Sequence, residues 1–252
     1  HYGDEMIKNN EINDFFPEKV LILGKNSFVG KSIIKGLEKI KVNYLALGSY
    51  ELDLSKNESI NELKKYLENV DCMVFISAVA PVKDMEMFNN NLKIIKNVSE
   101  ALMSVRNLHV VNISSDAVYA DSKDPLNENS LTYPQSLHGL MHLNREILLR
   151  QVVNEKYFVT LRPTLIYGTE DPHNGYGPNS FMRLVKSNKN IKLFGDGEEL
   201  RDHVYVEDVA NACIKVLLRK SYGTLNIASG ELISFKECAE KILSLFPESK
   251  SK

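Results

Sequence analysis

Residues 20–30 read Val20-Leu21-Ile22-Leu23-Gly24-Lys25-Asn26-Ser27-Phe28-Val29-Gly30, an apolar run followed by a turn with a glycine at each end. Four consecutive apolar residues are typical of a strand buried on both faces of a parallel sheet. Helical periodicity from Phe28 to Ile40 predicts a helix directly after the turn. Glycine lets the backbone approach a phosphate there, and the helix N-terminus offers free amides. We therefore predict that residues 24–30 bind the pyrophosphate of a dinucleotide; on glycine spacing alone, an ordinary turn is the alternative.

The alternation of short apolar runs with amphipathic stretches continues through the first half of the chain. This order predicts an α/β fold with a doubly wound parallel sheet of the Rossmann type. After Pro163 the turn-rich segment 171–178 interrupts the alternation, which predicts a small C-terminal lobe. The predicted domains are an N-terminal extension at 1–17, an NAD(P)-binding domain at 18–167, and a lobe at 168–252 from which 204–228 return to the first domain.

Two Ser-x-x-Glu segments predict where helices begin. Ser55 and Ser234 each precede a glutamate by three residues, at Glu58 and Glu237. In such a capping box the serine hydroxyl accepts from the third amide while the glutamate reaches back to the serine amide. We therefore expect helices to start at both serines, the first one running to about Leu67.

Composition restricts the classes of partner. The chain has 252 residues, of which 43% are hydrophobic and 25% charged, as in globular proteins. A formal net charge of −2 without a basic run gives no basis for binding nucleic acid. No apolar stretch approaches the roughly 18 residues that cross a bilayer, so no membrane partner is expected. Cys72, Cys213 and Cys238 are scattered, which favours buried free thiols in a reducing, cytoplasmic compartment.

The end of the second predicted strand bears on the choice of cofactor. An acidic residue there binds the ribose 2′-hydroxyl of NAD, whereas a nearby cation accommodates the 2′-phosphate of NADP. The strand at 44–47 is followed by Gly48 and Ser49, with no acid, and Lys25 lies in the glycine turn. The sequence therefore favours NADP over NAD, with NAD left open.

A second informative stretch is Pro134-Gln135-Ser136-Leu137-His138-Gly139-Leu140-Met141-His142-Leu143-Asn144-Arg145-Glu146. Its two histidines are separated by one helical turn, so that both side chains share one helix face and can act on one bound molecule. A third stretch, Ser114-Ser115-Asp116-Ala117-Val118-Tyr119, follows an apolar strand and places hydroxyl and carboxyl groups at its end.

Together these stretches resemble the extended short-chain dehydrogenase/reductase family, which comprises nucleotide-sugar epimerases, dehydratases and reductases. The family helix usually has the pattern Pro-x-Ser-x-Tyr-Gly-x-x-Lys-x-x-x-Glu. The positions that fit it are Pro134, Ser136, Gly139 and Glu146. His138 stands at the tyrosine and His142 at the lysine. In the glycine turn, Ser27 stands where the family pattern Gly-x-x-Gly-x-x-Gly has its middle glycine.

The resemblance implies that the C-terminal lobe is a substrate-binding lobe, and it implies binding roles for further residues. Those implied at the cofactor are Ser49 on the ribose side, Asp53 and Leu54 at the adenine, Ser77, Ala78 and Val79 in a small-residue turn, Asn97 supporting the backbone near the active site, and Pro163 beside the nicotinamide. Those implied at the substrate are Val79, Ser115, Asp116, Asn179 and Arg201, the last two at its diphosphate. The alternatives are a solvated acid before a helix at Asp53, a solvent-facing Asn97, and a turn acid at Asp116.

The two histidines change the chemistry that the family implies. In the family the tyrosine transfers a proton as hydride passes to or from nicotinamide, and the lysine lowers the pKa of that tyrosine. An imidazole has an unperturbed pKa of about 6.5 against about 10 for a phenol, so His138 can act as acid or base without a cationic neighbour. His142 is shorter than a lysine and is expected to reach the ribose through a water. Ser115, Asp116, His138 and His142 are the predicted catalytic residues.

Three hypotheses follow. We favour an NAD(P)-dependent epimerase or reductase acting on a nucleotide sugar; Ala117, where a dehydratase usually carries glutamate, argues against dehydration. The second hypothesis is a domain that binds a nucleotide or nucleotide sugar without the redox step. The third is a metal site at the two histidines, for which His173 and His203 are uncertain further ligands, so no metal is predicted. The resemblance also implies a homodimer.

Overall fold

The computed structural model describes residues 7–172 and 175–251, which contain ten strands and seven α-helices. The strands are β1 (Ile7–Asn9), β2 (Val20–Leu23), β3 (Tyr44–Leu47), β4 (Cys72–Phe75), β5 (His109–Ile113), β6 (Phe158–Pro163), β7 (Leu165–Tyr167), β8 (Leu200–Tyr205), β9 (Ser221–Ile227) and β10 (Leu232–Ser234). The α-helices are α1 (Phe28–Lys39), α2 (Ser59–Leu67), α3 (Met85–Leu102), α4 (Leu137–Val152), α5 (Pro178–Lys186), α6 (Val206–Leu218) and α7 (Phe235–Ser244). Short 3-10 helices lie at Asp116–Val118 and Glu155–Tyr157.

The chain divides into two compact units. The first comprises the residues up to Pro163 together with Glu207–Ile227, and the second comprises Thr164–Val206 together with the residues from Ala228 onward. Residues 164–167, predicted in the first domain, belong to the second unit, where β7 pairs with β8, and so do residues 204–206 and 228, which were predicted to return to the first domain. Within the described residues, no helix is both long and apolar enough to cross a membrane.

The first unit is built on a seven-stranded sheet of order β1-β9-β6-β5-β4-β2-β3. Every neighbouring pair is parallel except β1 with β9, which confirms the predicted α/β fold with a doubly wound parallel sheet. From β2 the chain moves outward to β3 and then returns to the other side of β2 at β4. Ligands of open α/β sheets bind at such a reversal, beyond the carboxyl ends of the strands.

Burial explains why β2 and β4 consist of apolar residues throughout. All residues of β2, β4, β5 and β6 are buried. On one face of the sheet Leu21, Met73 and Val110 join a single core cluster with Leu63 of α2 and Val98 of α3. A strand that is covered on both faces has no solvent-exposed side, so polar and apolar residues need not alternate along it.

One local prediction failed in this unit, and the predicted N-terminal extension contains a strand. Within the predicted N-terminal extension, residues 7–9 form β1, which pairs antiparallel with β9 along the sheet edge. The capping box at Ser55 is wrong, since α2 begins at Ser59 and Glu58 precedes it without a side-chain cap. The Ser55 hydroxyl instead donates to the Asp53 carboxylate at 2.6 Å, which removes it from the helix start.

The second unit contains a three-stranded sheet of order β10-β8-β7, with β8 parallel to β7 and antiparallel to β10. Helices α5 and α7 pack on each other through Phe181, Val185 and Phe235. The predicted capping box of α7 is confirmed, with the Ser234 hydroxyl accepting from the Glu237 amide at 3.1 Å and the Glu237 carboxylate accepting from the Ser234 amide at 2.8 Å.

Candidate active site

The glycine turn closes tightly between β2 and α1. Gly24 has φ +116°, a conformation that side chains rarely adopt, and a Cβ there would lie 3.0 Å from the Ser77 amide nitrogen. A Cβ on Gly30 would lie 2.2 Å from the carbonyl oxygen of Gly24. Both positions therefore require glycine, and the turn holds the N-terminus of α1 against the carboxyl ends of β2 and β4.

Ser27 is the N-cap of α1. Its hydroxyl donates to the Gly24 carbonyl at 2.7 Å and accepts from the Gly30 amide at 2.9 Å. The hydroxyl that replaces the family's middle glycine thus stabilises the turn and engages one first-turn amide. The first turn of a helix has no intrahelical acceptors for its amides, and among them are those of Phe28 and Val29.

The loop after β3 contains an acid that sequence reasoning missed. Glu51 accepts from Lys25 Nζ at 2.5 Å and from the Gly48 amide at 2.9 Å, just beyond the end of β3. These hydrogen bonds lower the pKa of Glu51, so it is ionised and paired with Lys25. The sequence preference for NADP depended on an absent acid and an available lysine, and neither condition holds. Ser49 is exposed in the same loop.

The loop after β3 is held together from within. Asp53 accepts from the Ser55 amide at 3.1 Å and from its hydroxyl, so its carboxylate organises the turn. The Leu54 side chain is buried in the core, and its carbonyl accepts from Asn97 Nδ2 at 2.9 Å. Asn97 also donates to the carbonyl of Lys56 at 3.0 Å. The expected support of the active-site backbone by Asn97 is therefore corrected: it braces the loop after β3.

A different asparagine on α3 braces the loop after β4, which contains Ser77, Ala78 and Val79. The side chain of Asn91 accepts from the Val79 amide and donates to the Val79 carbonyl, both at 2.9 Å. Asn91 is 1% exposed and sequence reasoning missed it. The three loop residues are half-buried at the end of β4, beside the glycine turn.

Ser115 and Asp116 lie at the end of β5, where a 3-10 helix begins. Ser115 Oγ accepts from the Ala117 amide at 3.1 Å and donates to Asp116 Oδ1 at 3.2 Å. A Cβ on Gly139 would lie 2.0 Å from the Ala117 carbonyl oxygen. The glycine therefore allows the start of α4, which carries His138, to touch the segment that carries Ser115 and Asp116.

The two histidines face each other on α4. Ser136 caps the helix by accepting from the Gly139 amide at 3.1 Å. The rings of His138 and His142 contact edge to face, with centroids 4.7 Å apart and planes at 88°. His138 is half-buried, and His142 is only 7% exposed. Burial, the charge of Arg145 and the ring of His138 lower the pKa of His142 well below its usual value, so His142 is neutral.

Arg145 is a further buried group at this point that sequence reasoning missed. Its guanidinium contacts the His142 Nδ1 atom at 3.2 Å and donates to the carbonyls of Ser77, at 3.2 Å, and Ile113. It also lies 4.7 Å from the centroid of the Phe75 ring. Burial lowers the pKa of Arg145 to about 10, so the group carries its charge at neutral pH. A cation thus lies directly behind His142.

An ion pair between α4 and β6 anchors the back of the site. Arg162 contacts the Glu146 carboxylate through two nitrogens, at 3.0 and 2.6 Å. Ser114 Oγ donates to the same carboxylate at 2.6 Å, and Arg150 contacts it from the surface at 3.2 Å. The pair fixes α4 to the ends of β5 and β6, where buried Pro163 ends the strand.

The predicted substrate residues of the second unit have protein partners. Asn179 accepts from the Gly168 amide at 3.2 Å and donates to the Asp171 carboxylate at 2.8 Å. Arg201 is half-exposed and pairs with Glu199. The second unit also contains a cavity of about 600 Å³. Charged groups of both signs line its wall, the cations from Arg183, Lys186 and Lys241 and the carboxylates from Glu231 and Glu237, together with neutral polar side chains that include Asn179.

The metal hypothesis gains no third ligand from the described residues. Across 7–172 and 175–251, no group of three or more His, Cys, Asp or Glu side chains has the arrangement of a metal site. His203 lies in the second unit, where its ring packs 5.9 Å from that of Phe235. His173 lies outside the described residues.

The known proteins that resemble this chain include reductases and epimerases named for nucleotide-sugar substrates. The chain is 25% identical over 270 residues to dTDP-4-dehydro-6-deoxy-D-allose reductase from Streptomyces bikiniensis, covering 90% of this chain and 80% of the relative. Its fold matches UDP-glucose 4-epimerase from Thermotoga maritima solved with UDP-glucose, with a TM-score of 0.81, 18% identity, and coverage of 93% and 85%. It also matches UDP-glucose 4-epimerase from Thermus thermophilus in complex with NAD, with a TM-score of 0.75, 20% identity, and coverage of 90% and 82%.

The family comparison covers most of the chain. A sequence model described as the NAD dependent epimerase/dehydratase family matches residues 20–228. The match begins with the first residue of β2 and runs through the glycine turn, the Ser115 segment and the helix with the two histidines. The chain therefore belongs to the NAD dependent epimerase/dehydratase family.

Proposed function

We propose that this protein is an NAD(P)-dependent nucleotide-sugar epimerase or reductase in which His138 is the acid/base. The observation that carries the proposal is the contact between the helix of His138 and the Ser115–Asp116 segment, made possible by Gly139. This contact lies at the carboxyl edge of the parallel sheet, where ligands of the fold bind. Relatives named as sugar-nucleotide reductases and epimerases support the substrate class.

The glycine turn suits a dinucleotide. Its two obligatory glycines remove side chains from the approach, and the helix N-terminus offers the amides of Phe28 and Val29 to a pyrophosphate. When bound, NAD or NADP would accept a hydride in its oxidised form and donate one in its reduced form. Because the ionised Glu51 would repel a 2′-phosphate and can accept from a ribose hydroxyl, we expect tighter binding of NAD than of NADP.

The proposed proton transfer uses residues of the first unit. Ser115 donates a hydrogen bond to the reacting oxygen of the sugar, and His138 takes the hydroxyl proton as the hydride leaves the same carbon. The O–H and C–H electron pairs then form the carbonyl bond and the departing hydride. In the reductive direction His138 returns the proton to that oxygen. Without substrate the Ser115 hydroxyl donates to Asp116, so in the proposed reaction it turns from this carboxylate to the sugar oxygen when the substrate binds.

Asn179 and Arg201 are proposed to bind the substrate diphosphate. Arg201 is half-exposed, so its guanidinium can exchange Glu199 for a phosphate in the bidentate geometry that suits arginine. Asn179 lies on the wall of the cavity in the second unit. In turnover assays the Arg201→Ala variant should show a raised KM for the sugar nucleotide. Its affinity for NAD, measured by calorimetry, should be unchanged.

A second candidate is a domain that binds the nucleotide or nucleotide sugar without redox turnover. The observation that favours it is the burial of His142, which is neutral and hydrogen-bonded to Arg145. A neutral imidazole held in this way does not supply the exposed cation that a lysine provides. This candidate predicts cofactor binding without any product.

One experiment separates the two candidates. The protein is incubated with UDP-, GDP-, dTDP- and CDP-sugars and NAD, NADH, NADP or NADPH, and products are identified by mass spectrometry. We expect turnover that falls by about 100-fold or more in His138→Phe, as for loss of a general base. Gln135→Ala, an exposed change in the segment just before α4, is the matched control. Unchanged turnover in His138→Phe would remove the acid/base assignment, and cofactor binding without product would favour the second candidate.

We also propose a homodimer in a reducing compartment. Helix α4 exposes Leu140, Ile147 and Leu148, apolar residues that a partner helix would cover. Light scattering should give a dimer for the native chain and a monomer for Ile147→Glu. A monomeric native chain would refute this part. The three cysteines are buried free thiols, which supports the cytoplasm as the compartment.

A further inference from the structure

Arg145 is a large, fully buried side chain in an unusual environment. It is 0% exposed, so it cannot touch a substrate or cofactor directly. Its hydrogen-bond partners are the backbone carbonyls at the ends of β4 and β5 and the ring of His142. The neighbouring Glu146 carboxylate is engaged by Arg162, Ser114 and Arg150. The charge of Arg145 therefore lies next to His142 rather than in an ion pair of the network behind it.

The contact with His142 has only one chemical interpretation. A guanidinium carries donors and no acceptor. The Nδ1 atom of His142, which lies 3.2 Å from Arg145 Nη2, must therefore be the acceptor and carry no proton. The proton of the neutral ring is then on Nε2, on the other side of the imidazole.

The same contact sets the charge of the ring. Two charged or titratable groups face His142: Arg145 from the following turn of α4 and His138 from the preceding turn. Both disfavour an imidazolium because a nearby positive charge opposes the charged form. Glu146 acts only through Arg145, whose charge it supports.

We propose that Arg145 is a positioning residue that fixes His142 as the neutral Nε2–H tautomer and, through the edge-to-face ring contact, orients His138. This inference rests on the proposed function, in which His138 moves the proton. The work that one lysine does in the family is thereby divided between two residues here. His142 supplies a hydrogen-bond donor facing away from Arg145, and Arg145 supplies the positive charge from beneath.

The native protein tests this without substrate or cofactor. Long-range ¹H–¹⁵N correlation spectra of protein labelled with ¹⁵N-histidine report which ring nitrogen carries the proton, and loss of signals in His142→Gln assigns them. We expect His142 to show the Nε2–H pattern without change over a titration from about pH 8 to about pH 5, the range in which an ordinary histidine charges. An Nδ1–H pattern, or titration like an ordinary histidine, would overturn the proposal.

Variants separate positioning from a structural role. Arg145→Met should give mixed tautomers and let His142 titrate, whereas Arg145→Lys, which keeps the charge and a donor, should restore the single form at least in part. Arg150→Met on the surface of the same helix is the control and should leave the His142 spectrum unchanged. If Arg145→Met retains the pure Nε2–H form, Arg145 does not set the tautomer and the proposal fails. Should that variant not fold, the spectrum of the native protein decides alone.

Turnover distinguishes the inference from the proposed function. An active Arg145→Met variant should show a kcat/KM profile whose acidic limb lies at higher pH, because His142 loses the neighbouring positive charge that opposes its protonation. A fixed Nε2–H tautomer in a protein that turns over no sugar nucleotide would support the role of Arg145 in setting the tautomer and refute the proposed enzymatic activity. Turnover by a protein whose His142 carries its proton on Nδ1 would support the enzymatic activity and refute the role of Arg145.

Discussion

Replacing Arg162 by methionine should destabilise the first unit strongly, because it leaves the Glu146 carboxylate buried without its bidentate partner. The two side chains are 4% and 0% exposed, and their contacts measure 3.0 and 2.6 Å. Burial alone opposes the charge on Arg162, but the hydrogen bonds and charge of Glu146 raise its pKa above the usual value. Arg162 therefore carries its charge in the folded protein at neutral pH, directly opposite the Glu146 carboxyl group.

The magnitude follows from what remains around the carboxylate. Removing one partner of a buried pair costs about 3–5 kcal/mol of unfolding free energy. Ser114 still donates to Glu146 at 2.6 Å and Arg150 still contacts it at 3.2 Å, so we expect about 3–4 kcal/mol. At about 2–4 °C per kcal/mol for a chain of this size, Tm should fall by about 6–16 °C.

The control is a second arginine on the same carboxylate. Arg150 is 46% exposed, and a surface pair contributes about 0–1 kcal/mol, so Arg150→Met should lower Tm by less than about 4 °C. Differential scanning calorimetry at neutral pH compares the two variants with the native protein. The double variant Arg162→Met with Glu146→Leu should melt above Arg162→Met alone, because it removes the stranded charge.

The reasoning would be refuted by two results together. If Arg150→Met costs as much as Arg162→Met, burial of the pair does not determine its contribution. If the double variant melts no higher than Arg162→Met, the cost does not come from an uncompensated carboxylate. Such results would point to lost packing of the Arg162 side chain, which also donates to the Tyr119 hydroxyl at 2.8 Å.

Three further outcomes are expected. Gly30→Ala places a Cβ 2.2 Å from a backbone oxygen in the turn and should abolish NAD binding in calorimetry, whereas Gly175→Ala, with no atom within 4 Å of its Cβ, should bind normally. Burial lowers the pKa of His109 to about 4, so between about pH 6.5 and about pH 4 the unfolded chain binds a proton that the folded chain does not. As the pH falls through this range, the free energy of unfolding should decrease by about 1.4 kcal/mol per pH unit because of this residue. His109→Gln should therefore flatten the dependence of Tm on pH. Asn91→Ala leaves the amide and carbonyl of Val79 without their partner and should cost about 1–3 kcal/mol in urea unfolding, with weaker NAD binding.

Local patterns were sufficient for the architecture. Residues 20–23 had to be apolar throughout because a central parallel strand is covered on both faces, and the glycines at 24 and 30 mark a turn that admits no side chain. The capping box at Ser234 and the shared face of His138 and His142 depend on neighbours three or four residues away, so they could be deduced from spacing.

Contacts between distant segments decided the details of the site. Lys25 meets an acid 26 residues away, Asn97 reaches a carbonyl 43 residues away, and Arg145 binds a carbonyl 32 residues away. No local pattern ranks such partners, because each depends on how strands and helices from separate parts of the chain are packed together. The Ser55 prediction failed for a local reason, since the carboxylate of Asp53, two residues earlier, accepts from its hydroxyl. Local sequence is enough where the chain must satisfy its own neighbouring backbone groups, whereas the partners of charged side chains depend on which distant segments the tertiary fold brings together.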